Sequence, residues 1–202
     1  MLPKILSLAL SAGTALASPF RPSSPATPAS SIGPGDPFGV IMLRSGSDIH
    51  FQPWQAALSS IFAFLPSQNA TCNDGTEPTN PSYATFVLSR DGGLYLYTTH
   101  GPTQQLYADR SGMGQGKFGY TTGDKHGPRY GERTKFSLDK NDDLTFNGAG
   151  FLACPNSIDG AWSIWVDVGN PHPGGNTDCL GFIARAVGAR SPADSCTYTQ
   201  PS

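Results

Sequence analysis

Apolar residues along this chain come in short runs broken by Gly, Pro, Asn and Asp, a pattern of strands and turns. Residues 39–43 (GVIML) form one run. Runs at 84–89 and 94–98 flank Arg90-Asp91-Gly92-Gly93, and runs at 134–138 and 144–147 flank a polar stretch from Asp139 to Asp143. Each set predicts a β-hairpin. Residues 150–154, 161–168 and 180–187 predict further strands, rich in aromatic and β-branched side chains. Residues 55–64 (QAALSSIFAF) read as a short helix, and the glycine-rich stretch 111–133 reads as a long mobile loop. An apolar pair precedes a polar turn and a second apolar residue at Leu43/Ile49, Leu88/Leu94 and Leu138/Leu144. That echo suits a three-fold β-trefoil. The fold expected is therefore all-β, a compact antiparallel sandwich or barrel, with the trefoil-like arrangement of three hairpins as the alternative.

Composition narrows the class. Gly (24) and Pro (18) make up about a fifth of the 202 residues, and charged residues only 14%. So much Gly and Pro argues against a helical bundle. A formal charge of −2 argues against nucleic acid and against a polybasic membrane surface as partners. The 38% hydrophobic and 10% aromatic content is enough to build a core.

Residues 1–17 carry one charge, Lys4, then a short apolar run and a terminal Ala15-Leu16-Ala17, the layout of a cleaved signal peptide. Residues 18–37 are rich in Pro, Ser and Thr and are expected to form a disordered tail. A single all-β domain would then occupy 38–202. Export places Cys72, Cys154, Cys179 and Cys196 in an oxidising compartment, so two disulfides are expected. Three connectivities are open; the working expectation is Cys154–Cys179 with Cys72–Cys196. Metal-ligand spacing is missing, so no metal and no cofactor are expected. Asn69-Ala70-Thr71 is an N-glycosylation sequon that would put residues 68–71 at the surface, whereas Asn80-Pro81-Ser82 is excluded by its proline.

Motifs for catalysis do not assemble. Gly114-Gln115-Gly116-Lys117-Phe118-Gly119 matches a dinucleotide fingerprint, but the glycines and Pro128 that follow forbid the helix it requires. Asp139, Asn141 and Asp143 start like a calcium loop, yet Leu144 and Gly150 stand where that loop needs Gly and Glu. The histidines, His50, His100, His126 and His172, lie without a signature nucleophile, and a hydrolase would need carboxylates such as Asp48, Asp91, Asp109 or Asp167 to converge. One stretch suggests binding. Strand alternation in 161–168 puts Trp165 among polar neighbours, opposite Trp162, Ile164 and Val166; Tyr95 and Tyr97 likewise share a face. Flat rings beside polar groups can stack on sugars, so Trp165, Tyr95 and Tyr97 are candidate carbohydrate-binding residues.

Two stretches, LRSGSDIHFQPWQAA at 43–57 and FLACPNSIDGAWSIWVDVGNPHPGGNTDCLGFIA at 151–184, resemble the fungal cell-wall family typified by PhiA, some members of which are described as IgE-binding. The RSGS block, ACP and DCLGF follow in that family's order. The resemblance implies a secreted, glycosylated, wall-associated fungal protein without assigned catalytic residues, in a family linked to development of spore-bearing cells. It also supports pairing Cys154 with Cys179, which match the cysteines of ACP and DCLGF. The function expected is that of a non-enzymatic wall or matrix glycoprotein, with a lectin-like module for wall polysaccharide as the alternative; the oligomeric state is not legible.

Overall fold

A computed structural model describes residues 32–73 and 82–201; the expected signal peptide and most of the tail lie outside them. Strands in chain order are β1 (Phe38–Leu43), β2 (Gln55–Ala57), β3 (Ser60–Ala63), β4 (Thr71–Cys72), β5 (Phe86–Leu88), β6 (Leu94–Leu96), β7 (Gln104–Asp109), β8 (Lys117–Thr122), β9 (Gly131–Glu132), β10 (Phe136–Leu138), β11 (Asp143–Phe146), β12 (Phe151–Cys154), β13 (Trp162–Val166), β14 (Leu180–Gly188) and β15 (Cys196–Thr197). Nine of them close an antiparallel barrel in the order β1-β5-β6-β7-β8-β3-β13-β12-β14, and β14 pairs back onto β1 from Phe38↔Gly188 to Leu43↔Ile183. Closure removes the sheet edges that an open sandwich would expose.

Of the arrangements left open by the sequence, the chain takes the barrel. The three echoing stretches hold unlike places in it. After Leu43 the chain turns and returns to bridge Ile41 with Pro53; β5 and β6 form a hairpin of the barrel wall; β10 and β11 form a flap attached to β14. The polar turn of that flap is held by Asp139, whose Oδ1 accepts the N–H groups of Asn141 at 2.7 Å and Asp143 at 2.9 Å.

The helix expected over 55–64 is instead the hairpin β2–β3, turning at Leu58 and Ser59 with φ of 48° and 59°. Its apolar residues are buried on both faces: Ala56, Ile61 and Ala63 in the main core, Ala57 and Phe62 in a smaller cluster with Leu65 and Ala161. A strand buried on both sides shows the unbroken apolar run that a helix also shows, and periodicity does not separate the two. The stretch expected as a loop over 111–133 contains β8, a central wall strand. Two of its glycines are fixed by close approach: a Cβ on Gly116 would lie 2.2 Å from the Val166 carbonyl oxygen, and one on Gly119 2.4 Å from that of Ser59. Ahead of β1, Ile32 packs on the core and the Gly35 N–H bonds the Leu88 carbonyl.

Trp54 fills the barrel. It is fully buried, with the rings of Phe151, Phe118, Phe86 and Phe182 centred 5.0, 5.6, 6.0 and 6.2 Å away. Edge-to-face contacts of this kind add to area burial. The disulfides are Cys72–Cys196, joining β4 to β15 across 124 residues, and Cys154–Cys179, joining β12 to the start of β14 across 25.

Candidate functional site

On the outer wall β7, β8 and β13 run side by side. Leu106 and Ala108 on β7, Phe118 and Tyr120 on β8, and Ile164 and Val166 on β13 are buried inward. The residues between them face out. Asp109 pairs with Lys117 across β7 and β8, and Lys117 pairs with Trp165 across β8 and β13, so carboxylate, ammonium and indole form one cross-strand row. Tyr107 lies one step along β7 on the same face.

Each member of the row is held. Lys117 Nζ donates to Ser60 Oγ at 3.1 Å and lies 5.4 Å from the centre of the Trp165 ring. The indole Nε1 donates to Ser163 Oγ at 2.9 Å. Asp109 accepts the Ser111 N–H at 3.0 Å and is only 6% exposed. Two loops wall the row. Gly114 packs on the Asp109 carboxylate and Gly174 on the edge of the indole, where a Cβ would come within 2.7 Å of the ring. Gln115 ties the loops together, its Oε1 accepting Asn170 Nδ2 at 3.1 Å and Gly174 N–H at 2.9 Å. The cleft left between them has a volume of about 290 Å³, with Pro128 and the exposed Met113 completing its lining.

Burial pushes the Lys117 ammonium below its ordinary pKa. Burial, followed by the nearby Asp109 charge, pushes the Tyr107 phenol up, with Arg133 opposing. The cleft therefore offers an acceptor, a charged donor, a phenolic donor and an apolar ring within one small space.

Of the three residues singled out by alternation, Trp165 lies in this cleft. Tyr95 is half-buried on the outer face of β6, paired with Gln105. Tyr97 lines a different groove of about 500 Å³ with His100 and Arg190, so the structure does not bring the two tyrosines to Trp165. On β7 the companions of Trp165 are Tyr107, missed from the sequence, and Asp109, named there only as a hydrolase carboxylate; alternation in QQLYAD puts both on the face opposite Leu106 and Ala108. The dinucleotide-like glycines serve this wall: Gly114 seats Asp109, and Gly116 and Gly119 let β8 lie against β13 and β3.

Other candidates occupy turns of their own. Asp91 accepts the Ser89 hydroxyl, and Asp167 the Gly169 N–H at 2.9 Å; Asp48 is exposed. His50 Nδ1 accepts the Arg44 N–H at 3.1 Å, and His172 Nδ1 lies 3.1 Å from the Asn176 carbonyl oxygen. His100 Nδ1 lies 2.7 Å from Thr99 Oγ1. Within the sequon Asn69 and Thr71 are exposed, but Gln68 and Ala70 are buried, contrary to a fully surface-lying segment. Gln68 Oε1 is used inside, accepting the Ala56 N–H at 2.8 Å.

Fold and cleft together define a class: a disulfide-linked antiparallel barrel with a filled interior and a small polar-aromatic cleft on its outer wall. The chain belongs to the family of PhiA-like secreted proteins, whose family model matches residues 38–199. It is 48% identical over 197 residues to the cell wall protein phiA of Emericella nidulans, covering 97% of this chain and 99% of that protein. The Aspergillus niger protein of the same name is 51% identical over 174 residues, 86% of this chain and 91% of its own length. The Arthroderma benhamiae one is 39% identical over 149 residues, 72% and 78% respectively. No solved structure matches the chain.

Proposed function

We propose that this protein is a non-enzymatic glycoprotein of the fungal cell wall or extracellular matrix. The observation that carries the reading is a barrel filled by Trp54 and its four phenylalanines, clamped by two disulfides, in a chain whose near full-length relatives are named cell wall proteins. Such a body withstands an oxidising, protease-rich exterior. Asp167 and His172 serve their own turns. A link to spore-bearing cells rests on the family resemblance. Incubating the purified protein with a panel of wall polysaccharides and measuring new reducing ends tests the non-enzymatic part. No release is expected; release that Asp109→Asn abolishes would overturn it.

Asn69 is the site of glycan attachment in this reading. It is exposed, on a turn with φ of 50°, and its Oδ1 accepts the Ser67 hydroxyl at 2.8 Å. Asn69→Gln should remove one glycosidase-sensitive mass increment from the secreted protein; an unchanged mass would remove the assignment.

A second reading is favoured by the Asp109–Lys117–Trp165 row: the protein also holds wall polysaccharide through this cleft. Retention on insoluble β-glucan or chitin, lost with Trp165→Ala, is the expected result. Retention that is equal for both proteins would place binding elsewhere.

A further inference from the structure

We infer that the outer-wall cleft takes a single neutral pyranose unit with equatorial hydroxyls, its ring hydroxyls bridging Asp109 and Lys117 and its C–H face against Trp165. The inference rests on the polysaccharide-binding reading above and adds the ligand's class and size. Charge gives other sugars no advantage. The row presents one carboxylate and one ammonium on paired strands. An acidic sugar gains Lys117 but meets Asp109 as a like charge, and a free amino sugar gains Asp109 but meets Lys117, so neither improves on a neutral ring. A neutral ring answers both groups, because every hydroxyl can donate to the carboxylate and accept from the ammonium. Tyr107 adds a donor, since its phenol is protonated at neutral pH and burial, with Asp109, moves it further in that direction.

Shape decides the configuration and the number of rings. An indole wall matches a ring whose hydroxyls all point sideways and whose faces are C–H. The volume of about 290 Å³ lies at the lower limit of small-molecule sites, enough for one ring rather than a run of several. The site is also set before binding. Ser60 and Ser163 fix the ammonium and indole, and Gln115 locks the two walls together. Groups already held lose little further freedom when a ligand arrives.

The test is an NMR titration of the full secreted chain with a neutral β-glucan trisaccharide, a neutral N-acetylated chitin trisaccharide, a trigalacturonate and a deacetylated chitin trimer. Shifts at the Trp165 indole N–H and around Lys117 are expected with at least one neutral trimer; which one responds separates glucan from chitin as the source. Lys117→Met keeps the aliphatic stem, so its fold is expected to persist, while affinity falls about tenfold. Trp165→Ala should abolish the shifts, and Tyr97→Phe should leave them unchanged. Preference for either charged trimer, or neutral binding indifferent to Lys117→Met, overturns the inference. If no neutral trimer shifts the cleft while retention on insoluble polysaccharide is still lost with Trp165→Ala, this inference fails and the polysaccharide-binding reading survives; retention that Trp165→Ala leaves unchanged ends both. Silence in both assays ends both.

Discussion

Two tryptophans in this barrel do opposite work. Trp54 lies inside, touched by four phenylalanine rings and wholly shielded from water. Trp165 lies on the outer wall, half-buried, with an ammonium over its ring and a carboxylate two strands away. The residue type is the same; the surroundings differ because Trp54 sits just ahead of β2 on a segment bonded to the Val40 carbonyl and the Ala84 N–H, whereas alternation along β13 turns Trp165 to the outer face. The interior site maximises contact and leaves even the Trp54 indole N–H without a hydrogen-bond partner among the described residues. The outer site holds polar groups in fixed positions, which adds little to stability.

Substitutions should separate the two. Trp54→Ala removes the centre of the aromatic cluster and is expected to cost about 4 kcal/mol, read by denaturant unfolding. A loss below about 1 kcal/mol would mean that the interior collapses around the gap and the contrast is overstated. Removing Cys154–Cys179 with paired serines should cost about 3 kcal/mol through the 25-residue loop it closes. Trp165→Ala should cost only about 1 kcal/mol, the scale of one exposed cation–π contact, while saccharide binding disappears. A loss as large as that of Trp54→Ala would make Trp165 a core residue and break the comparison.

The smallest effect is expected from acid. Arg110 and Lys135 hydrogen-bond Glu132 at 2.8 Å each and hold its carboxyl down at about 2. The unfolded chain therefore takes up a proton at higher pH than the folded one. The ion network stabilises above about pH 4.3 and its contribution is lost as pH falls through about 2. Because the group is partly exposed, Glu132→Gln should cost under about 1 kcal/mol at neutral pH and flatten stability over that acid window. Urea midpoints from pH 5 to pH 2 measure it; parallel curves for both proteins would show that the network contributes nothing.

Legibility followed the range of the forces involved. The hairpins β5–β6 and β10–β11 could be read because their turns carry Gly and Asp chemistry within a few residues of each strand. β2–β3 was misread because its turn, at Leu58 and Ser59, has no turn-forming signature and both its faces are apolar. β8 was hidden because its glycines look like a loop until the carbonyls of Ser59 and Val166 come up against them. Trp165 could be singled out by alternation along one strand. Lys117 and Asp109 could not be set beside it, because β13 lies far along the chain from the adjacent pair β7–β8 and joins them only by tertiary pairing.

The sequence by itself determined an all-β body in which short apolar runs alternate with turns, because side-chain period and turn preference act locally. It also held the four cysteines of the two disulfides. Tertiary structure alone decided that the strands close into a barrel, which faces its turns leave buried, and that an acid, an amine and an indole meet on one wall. Those outcomes depend on strand pairing and close backbone approach between distant residues, which no local pattern encodes.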